Sequence, residues 1–308
     1  MSVSVEIESS INSALNCGKP VVALESCVVT HGLPAGENVR TAVEIEDIIR
    51  DAGVQPATVA VIGGRIRVGL SKAELEGLAS GGGAKLAARD LPYAVAKGLS
   101  GGTTVSATAH IAAAVGIAVV STGGIGGVHY GLSETGDVSA DLWELTRASV
   151  TVVCAGPKAV VDAAKTAEWL ETHAVPLYGY GTDELPAFYA GSSGVKIPVV
   201  KDAKEFAEIV RVSRSDFGMR CSIVLAVPVA KRSAVDVNIA VREALREAAE
   251  KGISGKDATP YLLEKVSALT KGASLQSNIA LLKKNARVAS EVAREMSRPN
   301  DRKLGFGT

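Results

Sequence analysis

Val152-Val153-Cys154-Ala155-Gly156-Pro157-Lys158 is an apolar, β-branched run that stops at a Gly-Pro turn and delivers a lysine. It reads as a buried strand over Thr151 to Cys154, with Lys158 opening the helix that follows. The same grammar recurs on both sides. Val21 to Ser26, Thr58 to Ile62, Ile117 to Val120, Pro176 to Tyr180 and Ser222 to Val229 read as strands. Between them, Val39 to Ala52, Ser106 to Val115 and Ala140 to Arg147 carry helical periodicity. Gly63-Gly64 before Arg65 to Gly69 reads as a hairpin return, and Ser71-Lys72-Ala73-Glu74 as a capping box. The last third is helical over Ala234 to Lys251, Pro260 to Leu269 and Leu275 to Met296. Strands alternating with helices predict an α/β fold: a single-domain α/β/α sandwich over residues 1–308 with a helical C-terminal portion.

Composition narrows the class. The 308 residues are 47% hydrophobic and 21% charged, enough for a sizeable core. Net charge is zero and no basic stripe with interleaved aromatics is visible, which argues against a nucleic-acid polymer as partner. The N-terminus has no basic segment before an apolar run, and no stretch approaches a membrane span. The expectation is no membrane and a cytoplasmic setting. Of four cysteines, none forms a Cys-x-x-Cys pair; Cys154 and Cys221 lie in apolar runs and are expected as reduced core residues.

Chemistry gathers in three further segments. Gly101 to Thr108 is rich in glycine and hydroxyls, Gly123 to His129 is rich in glycine, and Asp137-Val138-Ser139-Ala140-Asp141 brings two aspartates. Glycine and small hydroxyl residues let backbone N–H groups approach an anion such as phosphate. Aspartates can hold a hard cation. A lysine placed after an apolar strand is expected to be desolvated, with a lowered pKa and nucleophilic character. Dinucleotide and Walker-type binding are not supported, because Gly124-Ile125-Gly126-Gly127 lacks the full spacing and the helix that should follow.

Plainer readings stand beside each assignment. Lys158 could cap a helix start. Glu25 could be a buried carboxylate paired with an arginine. Asp141 could favour a helix dipole. Lys85 could be a surface lysine on a helix, His129 a satisfied loop histidine, and Asn278 a solvating helix residue. His31 could orient Glu25 or only pack.

Ala23 to Ser26 with Thr30 to Pro34, Pro56 to Thr58, Ala84-Lys85 with Arg89 to Pro92, Gly102 to Val105, Gly123 to His129, Asp137 to Leu142, Cys154 to Gly156, Leu185 to Tyr189, Thr259-Pro260 and Ser274 to Asn278 occur in one order along nearly the whole chain. In that order they resemble the pseudouridine-5′-phosphate glycosidase family, also called indigoidine synthase A-like. The resemblance implies reversible cleavage of pseudouridine 5′-phosphate to uracil and ribose 5-phosphate. It implies Glu25 as general acid, Lys158 as nucleophile and Asp137 as ligand of Mn2+. Lys85, Val105, Ser139, Ala140 and Asp141 become substrate contacts, and His129 and Asn278 further candidates. The partners implied are a phosphosugar and uracil or another aromatic ring, in a homotrimer of α/β/α subunits.

Three positions depart from the family's pattern: Tyr130 where a basic residue is expected, Gly136 where a large apolar one is, and Leu225 to Val229 where an Asn-Pro-x-Pro turn is. Tyr130 and Gly136 could widen or aromatise the pocket. The alternative function is therefore a C-glycosynthase joining ribose 5-phosphate to an aromatic acceptor. A non-catalytic phosphosugar-binding protein is a third reading, which an intact Lys158 and Glu25 argue against.

Overall fold

In the computed structural model, described over residues 5–298 except 81, 231, 232, 254, 256 and 257, one twisted sheet organises the chain. Its strands lie in the order Val5–Ile7, Arg65–Val68, Gln55–Ile62, Val21–Glu25, Val119–Ser121, Thr151–Cys154, Ile223–Ala226, Leu177–Tyr180, Val199–Val200. From Gln55–Ile62 onward every neighbouring pair in that order is parallel. The Gly63-Gly64 return makes Arg65–Val68 antiparallel to its predecessor, as its two left-handed glycines predict. Gly101–Thr103 adds to Gln55–Ile62 on the opposite side of that strand's end and carries Ala84–Leu86 beside it.

The central strands are buried on both faces, so they read as continuous apolar runs rather than alternating ones. Alternate side chains nonetheless enter different cores. Val22, Leu24, Val119, Val153, Ile223 and Leu225 pack with Ile45, Phe206, Leu262 and Leu282. Val21, Ala23, Val120, Val152, Cys154 and Val224 pack with Ile11, Ile111, Leu142 and Leu170. The first core is roofed by helices Glu37–Asp51, Ala203–Arg211, Asn238–Glu250, Ala258–Leu269 and Ala273–Ser297, the second by Ser9–Asn16, Val105–Val115, Ala140–Leu145 and Ala163–Thr172. This is the expected α/β/α layering with a helical C-terminal portion. No helix among the described residues is long and apolar enough to cross a membrane.

Three local expectations change. Lys158 does not open a helix. Its N–H donates to Ile125 O at 2.9 Å, so the Gly-Pro turn runs along the Gly123–His129 loop instead. Val161–Asp162 then pairs antiparallel with Val128–His129, and the helix begins only at Ala163, capped by Asp162. The helix expected from Ala234 begins at Asn238. Cys154 is a buried strand residue, but Cys221 lies in the loop before Ile223, partly exposed, with Sγ 3.4 Å from Ala174 O. The capping box is present: Glu74 accepts from the Ser71 N–H at 2.8 Å, and the Glu74 N–H donates to Ser71 Oγ at 3.3 Å.

Candidate active site

Three adjacent parallel strands end on the same edge of the sheet, and each hands over a functional segment there. Val21–Glu25 ends in Glu25, Val119–Ser121 leads into Thr122-Gly123-Gly124, and Thr151–Cys154 leads through Gly156-Pro157 to Lys158. Carboxyl ends of parallel strands are where open α/β sheets place their ligands. A cavity partly open to solvent lies over this edge. Glu25, Lys85, Lys158 and Asn278 all line it, with Cys27, His31 and Phe188. It adjoins a wider outer hollow that shares His31, Pro260, Leu263 and Asn278 with it.

Glu25 is 8% exposed, and no arginine among the described residues pairs with it. Thr122 Oγ1 donates to Glu25 Oε1. Burial pushes the carboxyl above its ordinary range, while the charge of Lys158 and the Thr122 hydroxyl pull the other way. Lys158 behaves differently from the lowered amine expected from sequence. Burial does pull its ammonium down, but Glu25 and Asp141 outweigh it and hold the ammonium above the ordinary lysine value. Lys85 sits on the Ala84–Leu86 strand, not on a helix, and there burial and the neighbouring Lys158 lower its pKa.

The second part of the site is a loop held by Asp141. Asp141 Oδ1 accepts from the Ser106 N–H at 2.9 Å, and Oδ2 from the Gly126 N–H at 2.8 Å. The carboxylate thereby ties the start of helix Val105–Val115, where Val105 is buried, to the glycine loop. Ser139 caps the helix that begins at Ala140, its Oγ accepting from the Asp141 N–H at 3.2 Å. Glycine is required at 126, because a Cβ there would stand 2.1 Å from Ser139 Oγ. Asp137 is half-buried beside His129, whose Nδ1 is 3.9 Å from Asp137 Oδ2. Burial holds His129 below the ordinary imidazole value, against the pull of Asp137.

The structure therefore brings Glu25, Lys85, Lys158 and Asn278 together in one cavity. Val105, His129, Asp137, Ser139, Ala140 and Asp141 occupy the adjoining loop and helix starts, outside the residues that line that cavity. Asn278 is 8% exposed, which removes the solvating reading. Thr122, Cys27 and Phe188 were not singled out from sequence. Phe188 holds φ +59° while buried, a backbone state uncommon for a bulky residue, and its ring lies against Gly124. A signal for it existed in the Leu185 to Tyr189 segment, but not one that named the residue. Cys27 is no second nucleophile, since burial pushes its thiol up to about 12.

Two of the departures find structural accounts. Tyr130 is 45% exposed and does not line the cavity, so it gives no aromatic wall there. Gly136 ends the short helix Leu132–Thr135 in the left-handed conformation, φ +63°, with open space where a side chain would project.

Comparison with known proteins agrees with this geometry. The family described as indigoidine synthase A-like protein matches residues 10–295. The pseudouridine-5′-phosphate glycosidase of Clostridium botulinum is 46% identical over 302 residues, covering 96% of this chain and 98% of that protein. The pseudouridine-5′-phosphate glycosidase of Escherichia coli K12 is 46% identical over 299 residues, covering 96% of each. Among solved structures, the prealnumycin C-glycosynthase AlnA in complex with ribulose 5-phosphate superposes with a TM-score of 0.88 at 37% identity, covering 96% of this chain and 97% of that one. An indigoidine synthase A-like protein from Thermotoga maritima superposes at 0.86 with 34% identity over the same shares. With the family matched over nearly its whole length, the chain belongs to the indigoidine synthase A-like family, alongside the pseudouridine-5′-phosphate glycosidases.

Proposed function

We propose that this protein is a pseudouridine-5′-phosphate glycosidase, reversibly cleaving its substrate to uracil and ribose 5-phosphate through an imine on Lys158. The observation that carries the reading is a buried carboxyl group and a half-buried lysine, Glu25 and Lys158, lining one cavity at the strand ends. A carbon–carbon glycosidic bond offers no leaving oxygen to protonate, unlike the bond cut between two carboxylates in ordinary glycosidases. An amine solves this by turning the sugar into an electron sink.

Lys158 Nζ bonds to C1′ while the C1′–O4′ bond breaks and the ring oxygen takes a proton. The nitrogen, now a cation, gives up a proton; its lone pair then forms the C1′–N double bond as the bond from C1′ to the base breaks, and the departing ring carbon takes a proton. Water adds to the imine and releases the aldehyde of ribose 5-phosphate and the amine.

Resting Lys158 is an ammonium, so it must lose a proton first. Glu25 is the natural acceptor, because burial already favours its neutral form. One proton moved from Lys158 to Glu25 yields the nucleophile and the acid together. Ligand binding that expels water favours that neutral pair over two buried charges.

The relatives named as glycosidases are 46% identical and the C-glycosynthase 37%. With Tyr130 outside the cavity lining, this favours uracil over a larger aromatic acceptor. A divalent metal, Mn2+ in the reading taken from the sequence, belongs to the proposal too. Among the described residues no group of three or more His, Cys, Asp or Glu forms a cage. Asp137 beside His129 fits instead an ion that keeps several waters and is completed by substrate. Such an ion supplies charge that polarises oxygens and orients water. A homotrimer in the cytoplasm completes the reading. Sedimentation tests the assembly.

The activity test is synthesis. Incubation with uracil and ribose 5-phosphate should form pseudouridine 5′-phosphate, identified by mass and by resistance to acid hydrolysis. Coupling of ribose 5-phosphate only to larger aromatic acceptors would favour a C-glycosynthase, and binding without any product a non-catalytic protein.

A further inference from the structure

Glu25 stands between two spaces. One side of it lines the reaction cavity, and another lines a smaller inner cavity shared with Thr58, Ser121, Thr122 and Leu24. The Thr58 hydroxyl is already committed to Glu46 Oε1 at 2.5 Å, which leaves the Ser121 hydroxyl as a polar group on that inner space to which a carboxyl could turn. Something must therefore decide which way the acid faces.

The parallel register supplies it. Leu24 lies opposite Ser121, so the next residues along, Glu25 and Thr122, emerge side by side at the strand ends. Thr122 is 2% exposed, and its hydroxyl donates to Glu25 Oε1. Its own backbone is fixed from two directions. The Thr122 N–H donates to Val153 O at 3.1 Å, and Asn285 Nδ2 donates to Thr122 O at 2.8 Å and to Gly123 O at 3.2 Å. Asn285 is 1% exposed, and its Oδ1 is buried with no partner among the described residues. A buried amide oxygen left unsatisfied costs stability, so the fold keeps Asn285 here at a cost. Asn285 stands two turns beyond Asn278 and near Leu282, which both line the reaction cavity from the same helix. That helix thus lines the cavity and grips the turn bearing Thr122. A threonine is restricted at χ1, so a fixed backbone means a fixed hydroxyl.

We propose that Thr122, which lines the inner cavity and is anchored by Asn285, is a positioning residue for Glu25, tethering Oε1 on the inner side so that the rest of the carboxyl is presented to the reaction cavity. This rests on Glu25 being the proton donor. The hydroxyl also favours the ionised carboxylate, so its loss raises the pH at which Glu25 gives up its proton.

The test compares Thr122→Val, Thr122→Ser, Glu25→Gln and the Glu25→Gln/Thr122→Val double variant. Thr122→Val keeps the shape and removes the hydroxyl. Its kcat should fall on the order of 10–100-fold, the scale of a small misplacement, with KM for ribose 5-phosphate within about twofold of wild type, as loss of a group acting only on the chemical step requires. The acid limb, along which activity falls as Glu25 takes up a proton from solution and can no longer accept one from Lys158, should move to higher pH. Thr122→Ser should restore both. Adding Thr122→Val to Glu25→Gln should change nothing further, because the hydroxyl acts only through the carboxyl. If Thr122→Val does not fold, Thr122→Ala, which removes the hydroxyl without a new methyl, carries the same comparison. A Thr122→Val enzyme with wild-type kcat and pH profile, beside an inactive Glu25→Gln, overturns this inference and leaves the proton donor in place. An active Glu25→Gln overturns both.

Discussion

Asp141 invites the sharpest perturbation, because family resemblance makes it a substrate contact while its two oxygens already accept from backbone N–H groups at 2.9 and 2.8 Å. Asp141→Asn keeps the size and replaces one oxygen with an NH2 group. Whichever way the amide turns, one backbone N–H, of Ser106 or of Gly126, then faces a donor. Both sit in buried surroundings, with Ser106 at 0% and Asp141 at 4% exposure. Two charge-assisted hydrogen bonds become one neutral bond, and one buried donor loses its partner. A bond to a charged group contributes about 1.5–3 kcal/mol and an unsatisfied buried donor costs about 1–3 kcal/mol, so roughly 3–5 kcal/mol of stability is at stake. Unfolding entropy of about 2.1 cal/mol/K per residue over a chain of this length makes that a fall in Tm of roughly 5–8 °C. Calorimetry on both proteins reads it directly. The substrate's absence is what makes the measurement decisive: a residue that serves only the ligand leaves the Tm of the unliganded protein unchanged. An Asp141→Asn protein that melts within about a degree of wild type, and has lost only ribose 5-phosphate binding, would refute the clamp.

Borohydride added with ribose 5-phosphate should trap a reduced adduct on Lys158, located by peptide mass spectrometry; an adduct on Lys85 would move the nucleophile there. Chelation should abolish turnover, and Asp137→Asn should weaken Mn2+ binding measured by calorimetry without substrate; unchanged binding would place the metal elsewhere. Stability should also depend on pH at two groups. Lys158 holds its proton more tightly folded than unfolded, so its contribution is complete below the ordinary lysine value of 10.5 and is lost as pH rises through its folded value; Lys158→Met should flatten that alkaline fall in Tm. His129 is held below its ordinary 6.5, so its contribution is present above that value and is lost as pH falls; His129→Asn should flatten the acid side.

Much of this was legible in the sequence, for reasons that mark where legibility ends. Strands such as Thr151–Cys154 announce themselves because burial on both faces demands unbroken apolar residues, and the Gly63-Gly64 return because both glycines sit at positive φ. The start of the helix after Lys158 was misplaced because the preceding turn spends its backbone bonds on Ile125, far away in sequence. The same limit explains the amine. Desolvation of Lys158 follows from an apolar neighbourhood, which local sequence shows. The carboxylates that reverse its effect come from residues 25 and 141, and only the fold brings them near. Thr122 was missed on similar grounds, since a threonine before two glycines reads as loop until the strand register sets it beside Glu25.

That reversal bears on how the site is switched on. A lysine kept as free amine in the resting protein would be open to any aldehyde that entered. Here the carboxylates of Glu25 and Asp141 hold it as an ammonium, which is not nucleophilic. Asp141 is committed to two backbone N–H groups and is poorly placed to take a proton, because protonation would cost both bonds. Glu25 is bonded through one oxygen by a single hydroxyl, and burial already favours its neutral form. The two carboxylates therefore divide the work by their hydrogen bonds. Asp141 remains an anion that fixes the loop, and Glu25 is the one that can exchange a proton with Lys158 once a ligand displaces water from the cavity.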